Sequence, residues 1–165
     1  MHNPFLLHPQ QLRQIWKDIR KSLDPAAETV VQLKTVSDFW NRAPTSSPYL
    51  DCLDTSSWPD AWILIESKLF DHNTLALGMF YTLLLSDTKQ FTADRLKLVW
   101  LRNNAESWER LVCIVDDRWL LNYDRENVVD TYLLPDMLCM HMYKYDLHKR
   151  RIIEIRQSML DLHPA

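Results

Sequence analysis

The sequence predicts an α+β domain: an N-terminal helical hairpin, then a buried central helix packed on a small antiparallel sheet. Three observations predict it. Residues 9–42 place apolar side chains at helical spacing. Residues 70–85, FDHNTLALGMFYTLLL, are apolar on every side, the mark of a helix buried all round. From residue 95 onward the apolar period falls to two.

Pro9 and the run QQLRQIWKDIRKSL form the first helix, with Leu12, Ile15, Trp16, Ile19 and Leu23 on one stripe. Asp24-Pro25 ends it and starts a second helix, roughly 26–42, striped by Val30, Leu33, Val36, Phe39 and Trp40. Residues 43–60 hold three prolines among serines and threonines and read as an irregular loop. Trp58-Pro59 opens a short helix, about 60–68, whose Trp62 and Ile65 are expected to face the core. The central helix, about 71–86, starts at Asp71 and contains the chain's one glycine, Gly78. A mid-helix glycine costs roughly 1 kcal/mol against alanine, so close packing against another backbone is expected there.

Strands follow. Leu96, Leu98 and Trp100 alternate with Lys97, Val99 and Leu101. Leu111–Val115 and Trp119–Asn122 flank the turn Asp116-Asp117. MLCMHMYKY, about 137–145, is a further strand, and the last stretch, Arg151–Met159, is either a strand over 151–156 or a closing helix. The chain is expected to be one domain: hairpin 1–43, loop 44–60, core 61–157 and tail 158–165.

Composition narrows the function. A net charge of −3 gives no global field for nucleic acid or an anionic membrane. The basic run His148-Lys149-Arg150-Arg151 reads as a turn and solvated face. Three cysteines without CxxC spacing argue against a disulfide framework or zinc cage and for a reducing compartment. MHNPFLLHPQQ lacks the features of a signal peptide, and the longest apolar run is about half of a bilayer span. A cytoplasmic protein is expected. One glycine cannot build a P-loop or a dinucleotide-binding turn, and no cofactor is expected.

Phe70-Asp71-His72-Asn73-Thr74-Leu75-Ala76, the strand Arg110-Leu111-Val112-Cys113-Ile114-Val115 and the strand Trp119-Leu120-Leu121-Asn122-Tyr123 carry a resemblance. They resemble the bacterial transglutaminase-like and papain-like cysteine proteins over residues 60–125. In that family a Gly-Asp-Cys motif starts a buried helix whose N-terminus lowers the thiol pKa. A histidine strand and a strand ending in Leu-Asp-Asn follow. The resemblance implies a transglutaminase-like fold. It also puts His72 at the nucleophile position, Arg110 (or Glu109) at the base position and Asn122 at the orienting position. A thiolate, an imidazole and its orienting group would all be replaced together, which implies an inactive copy of the fold.

The other chemical candidates have plain readings. Cys113 sits mid-strand as a core residue. Cys139 and His141 alternate on one strand face, but two ligands do not make a metal site. Cys52 lies in a loop between Asp51 and Asp54, where carboxylates raise a thiol pKa. His72 beside Asp71 is either a base at a helix start or a solvated neighbour of a capping aspartate.

The remaining candidates are surface anchors. Trp100, Arg102, Asn103 and Trp108 surround a polar loop at the sheet edge, and Tyr49 and Trp58 add aromatic groups from the long loop. WPDAWILIESKLFDHNTLALGMFYTLLLSD (58–87) is similar to small uncharacterised proteins of tailed bacteriophages. That resemblance implies a virion or assembly component whose partners are other phage subunits. The expected function is a non-enzymatic interaction or assembly module on an inactive core. The alternative is a cysteine-type amide hydrolase or acyltransferase, which would need a Cys–His pair within about 4 Å near a helix start. An inhibitor or regulator mimicking a hydrolase surface is a third reading.

Overall fold

The computed structural model describes residues 2–47, 50–134 and 137–155, so Tyr49 and the tail lie outside the described residues. Helix α1 (Pro9–Ser22) starts with a reciprocal cap: the His8 ring accepts from Gln10 N–H while the Gln11 amide accepts from His8 N–H. Pro9 takes the first helical position, where a missing N–H costs nothing. Helix α2 (Thr29–Trp40) begins later than the pattern suggests, because Asp24 organises a turn by accepting from Ala26 N–H and Ala27 N–H.

The two helices follow each other as a hairpin, yet both are anchored in the same place on the core. The indole N–H groups of Trp16 and Trp40 each donate to Thr82 Oγ1, at 2.8 Å.

Helix α3 (Ala61–Ser67) is capped by Asp60, which accepts from Ile63 N–H. That cap fixes the phase so that Ala61, Leu64 and Ile65 point inward. Trp62, expected in the core, is instead half-exposed and stacks edge-on against Trp16. Helix α4 (Thr74–Leu84) is the buried central helix, and only Tyr81 and Leu84 on it are partly exposed. A Cβ on Gly78 would lie 2.5 Å from the Trp40 ring, so the close neighbour is an indole rather than a second backbone.

Among the described residues the sheet has six strands: β1 (Leu96–Asn103), β2 (Trp108–Val115), β3 (Trp119–Asp124), β4 (Asn127–Asp130), β5 (Met137–Asp146) and β6 (Arg151–Ile155). All pairs are antiparallel, in the order β4-β3-β2-β1-β5-β6. Strand alternation separates two clusters. Leu98, Trp100, Leu111, Cys113, Leu121 and Tyr143 join the helices in the main core. Val99, Leu101, Val112, Ile114, Leu120 and Met142 form a second cluster on the other face, with Trp108, Tyr123 and Cys139 against it.

Two features depart from the sequence reading. Edge strand β4 is four residues long, too short for a periodic signal. Strand β5 carries a bulge: Trp100 faces His141 while Leu101 faces Cys139. The extra residue, Met140, moves Cys139 and His141 to opposite faces and removes the expected pair.

Candidate functional site

The N-terminal end of α4 meets β2 and β3, and the hydrogen bonds there are made by short polar side chains. Buried Asp71 accepts from Thr74 N–H at 2.6 Å and from Leu50 N–H at 3.2 Å, which fixes the entry into the helix. Asn73 Oδ1 accepts from Leu111 N–H at 3.0 Å. Asn122 Nδ2 donates to the His72 carbonyl at 2.8 Å and to the Leu111 carbonyl at 2.9 Å. Asn122 itself sits at φ 70°, where the β3–β4 register is irregular. Asparagine tolerates that left-handed backbone better than most residues.

His72 and Asn122 are therefore brought together at the start of α4, while the charge of Arg110 acts on the His72 imidazole from the next strand. Their chemistry there is that of a clamp. The His72 Nε2 atom is buried without a hydrogen-bond partner. Burial, followed by the nearby guanidiniums of Arg110 and Arg125, holds its pKa below the usual imidazole range against the opposing pull of Asp71. Arg110 alternates with Leu111 and stacks at 4.1 Å over Trp108, on the side of the second cluster. It donates to the Tyr123 carbonyl at 2.7 Å. A guanidinium has no acceptor, so it cannot take a proton from a nucleophile. Glu109, the other residue at the base position, is engaged by Arg102 and by the Trp100 indole, and its pKa is lowered chiefly by the Arg102 bond. The Asn122 amide donors are both engaged on backbone carbonyls.

The lowered pKa of His72 gives a prediction. The unfolded chain binds the His72 proton more readily than the folded chain does, so stability is expected to fall as pH drops below the usual histidine pKa of about 6.5. Only a slope counts here, at most about 1.4 kcal/mol per pH unit for one proton. Urea unfolding of the wild type and His72→Gln between about pH 7 and pH 5 measures it. Equal slopes for the two proteins would refute the assignment to His72.

No thiol occupies a position that would favour a thiolate. Cys113 is fully buried and burial alone drives its pKa far up. Cys139 is pushed up to about 11 by burial, and its Sγ lies 3.8 Å from the His141 carbonyl rather than its ring. Cys52 is raised by burial first, then by Asp51, Glu109 and Glu154. The imidazole of His141 is held instead by Glu154, at 2.7 Å. Among the described residues no group of three or more His, Cys, Asp or Glu is placed to hold a metal ion.

The expected surface anchors divide. Trp58 and Trp100 are each 8% exposed and plug the fold instead of presenting a surface, while Asn103, 5% exposed, still reaches the cleft lined by Arg102 and Trp108. Trp58 donates to the Asp51 carbonyl and packs on Tyr143 with centroids 4.7 Å apart. Arg102 and Trp108 remain partly exposed and line a shallow cleft of about 400 Å³ with Asn104, Ser107 and Glu109. The loop there joins β1 to β2, two central strands, so it lies at the end of the sheet and not at its edge.

A buried central helix whose first turn abuts neighbouring strands of an antiparallel sheet defines the class: this is a transglutaminase-like α+β fold. Solved structures of Legionella pneumophila LapG share it. One superposes with a TM-score of 0.64 at 15% identity, covering 82% of this chain and 75% of LapG. A calcium-bound LapG gives 0.61 at 12% identity over 86% and 85% of the two chains, and an EGTA-treated form gives 0.64 at 15% over 82% and 74%. At these identities the likeness shows the fold. No protein-family model matches the sequence, and no curated protein matches it. The tailed-phage resemblance gains no support from these comparisons. No helix among the described residues is long and apolar enough to cross a membrane.

Sequence reasoning missed two contributors. Asn73 gave no periodic or motif signal, and its bond to Leu111 depends on a contact across 38 positions. The bulge at Met140 was invisible for a different reason: an inserted residue leaves the apolar pattern of a strand nearly unchanged.

Proposed function

We propose that this chain is a catalytically inert transglutaminase-like domain that acts through protein contacts. The observation that carries the reading is at the start of α4: the nucleophile position holds a half-buried imidazole whose Nε2 is buried without a partner and whose pKa is lowered by burial and by the charges of Arg110 and Arg125. Acyl transfer through a thioester needs a thiolate, a proton acceptor and a group orienting that acceptor. Here the corresponding positions carry His72, Arg110 and Asn122, whose polar groups support the helix–sheet junction or stack on Trp108. Each of the three cysteines of the chain has a raised pKa, which is the opposite of what activation requires.

Iodoacetamide labelling of the folded protein across a pH series, read by mass spectrometry, tests the proposal. Cys113 is expected to stay unlabelled until the protein unfolds, and Cys139 and Cys52 to react slowly with apparent pKa above that of a free thiol. A single cysteine labelled rapidly with an apparent pKa well below about 8 would restore the hydrolase reading.

A further inference from the structure

We propose that the tip of the β3–β4 hairpin, residues 122–127, is a pH-operated latch: a proton on His72 drives the tip away from the start of α4. The inference goes beyond the protein-contact reading and does not depend on it, since it concerns how one edge of the fold opens.

The tip hangs on side chains. The β2–β3 ladder ends at Leu121, and the β3–β4 pairing is interrupted between Leu120 and Asp124. Strand β4 is a short edge strand, the kind of element that opens before a core does. Beyond the ladder, Asn122 Nδ2 donates to the His72 and Leu111 carbonyls, and Arg110 donates to the Tyr123 carbonyl. Lys34 and Asn41 on α2 donate to the carbonyls of Glu126 and Arg125. Residues 124–127 are exposed, whereas Asp71, Asn73 and Thr74 are buried and fasten the start of α4. The tip is therefore the movable side of the junction.

His72 has no place for a proton while the tip is closed. Its Nε2 is buried without an acceptor. An imidazolium carries N–H at both ring nitrogens, so Nε2 would be a charged donor facing nothing. Three charges act on the ring: Arg110 from β2, Arg125 from the tip and Asp71 from its own segment. The two guanidiniums repel a second cation. Asp71 opposes them, but its carboxylate already accepts from Leu50 N–H and Thr74 N–H. Moving the tip away admits water to the ring and takes Arg125 with it. The open form then binds the proton more tightly, so acid favours opening.

Hydrogen exchange of the ¹⁵N-labelled full chain, read by NMR at about pH 7 and about pH 5 in low urea, is the test. The Asn122 side-chain amide and the backbone amides of residues 122–127 are expected to exchange through a local opening insensitive to urea. After correction for intrinsic rates, that opening should become several-fold more frequent in acid. Its ceiling is about 25-fold, set by an exposed imidazole pKa of about 6.5. His72→Gln should abolish the rise. Arg125→Glu, at an exposed position, should at least halve it, because a repelling charge becomes an attractive one. The proposal is overturned if these amides exchange only with global unfolding, if the opening is equally frequent at both pH values, or if the rise survives His72→Gln. Should His72→Gln fail to fold, an unchanged rise in Arg125→Glu overturns it instead. Amide exchange at the tip and thiol labelling report on different groups, so the latch and the inert core can fail separately.

Discussion

Thr82→Val is expected to destabilise the protein by about 3–5 kcal/mol, a large part of the 5–15 kcal/mol that holds a typical domain together. The substitution is nearly isosteric, so almost none of the loss comes from packing. Thr82 Oγ1 accepts from the indoles of Trp16 and Trp40 and donates to the Gly78 carbonyl at 2.6 Å. Valine would leave two buried indole N–H groups with no acceptor, each costing about 1–3 kcal/mol. Trp16 lies on α1 and Trp40 on α2, so the hydroxyl joins the N-terminal pair to the central helix. Trp40 cannot move aside, because its ring lies against Gly78. Thr82→Ser keeps the hydroxyl and should lose only about 1 kcal/mol, for the deleted methyl. Chemical denaturation followed by tryptophan fluorescence separates the two variants. A valine variant within about 1 kcal/mol of wild type would mean that the indoles find other acceptors.

The same contact shows where sequence reading succeeds and where it stops. The all-round apolar pattern of Leu75–Leu85 identified the central helix, and the lone glycine announced a close approach. What approached was a tryptophan ring, because periodicity tells which residues are buried and not which residues they meet. Trp62 was misplaced for a related reason. An apolar stripe leaves the phase of a seven-residue helix uncertain by one position, and the Asp60 cap decides it. Strands β1 and β5 were legible from alternation and β2 and β3 from β-forming residues around Asp116-Asp117, whereas β6 was open between strand and helix and β4 was too short to alternate. At the candidate site the resemblance pointed to positions 72, 110 (or 109) and 122. It could not say that Asn122 spends its donors on backbone carbonyls, since that depends on a local left-handed turn of β3.

Asn122→Asp puts that last point to an experimental test. The resemblance places an acidic orienting residue here, so aspartate would be the natural choice for an active relative. In this chain the side chain is 2% exposed and its nitrogen faces the carbonyl oxygens of His72 and Leu111. A carboxylate would set an acceptor against two acceptors and bury a negative charge beside them. The expected loss at neutral pH is about 3 kcal/mol or more. Backbone strain does not explain it, because aspartate tolerates a φ of 70° about as well as asparagine. The pH dependence identifies the cause. Such a carboxyl has a folded pKa raised above its unfolded value of about 3.9. The penalty is full above the folded pKa and shrinks as pH falls through it, since the protonated acid regains a donor. Relative to wild type, the variant should therefore recover stability between about pH 7 and pH 4. A pH-independent loss would point to general misfit. No loss at all would show that position 122 accepts an orienting acid, and the inert reading would then stand on His72 and Arg110 alone.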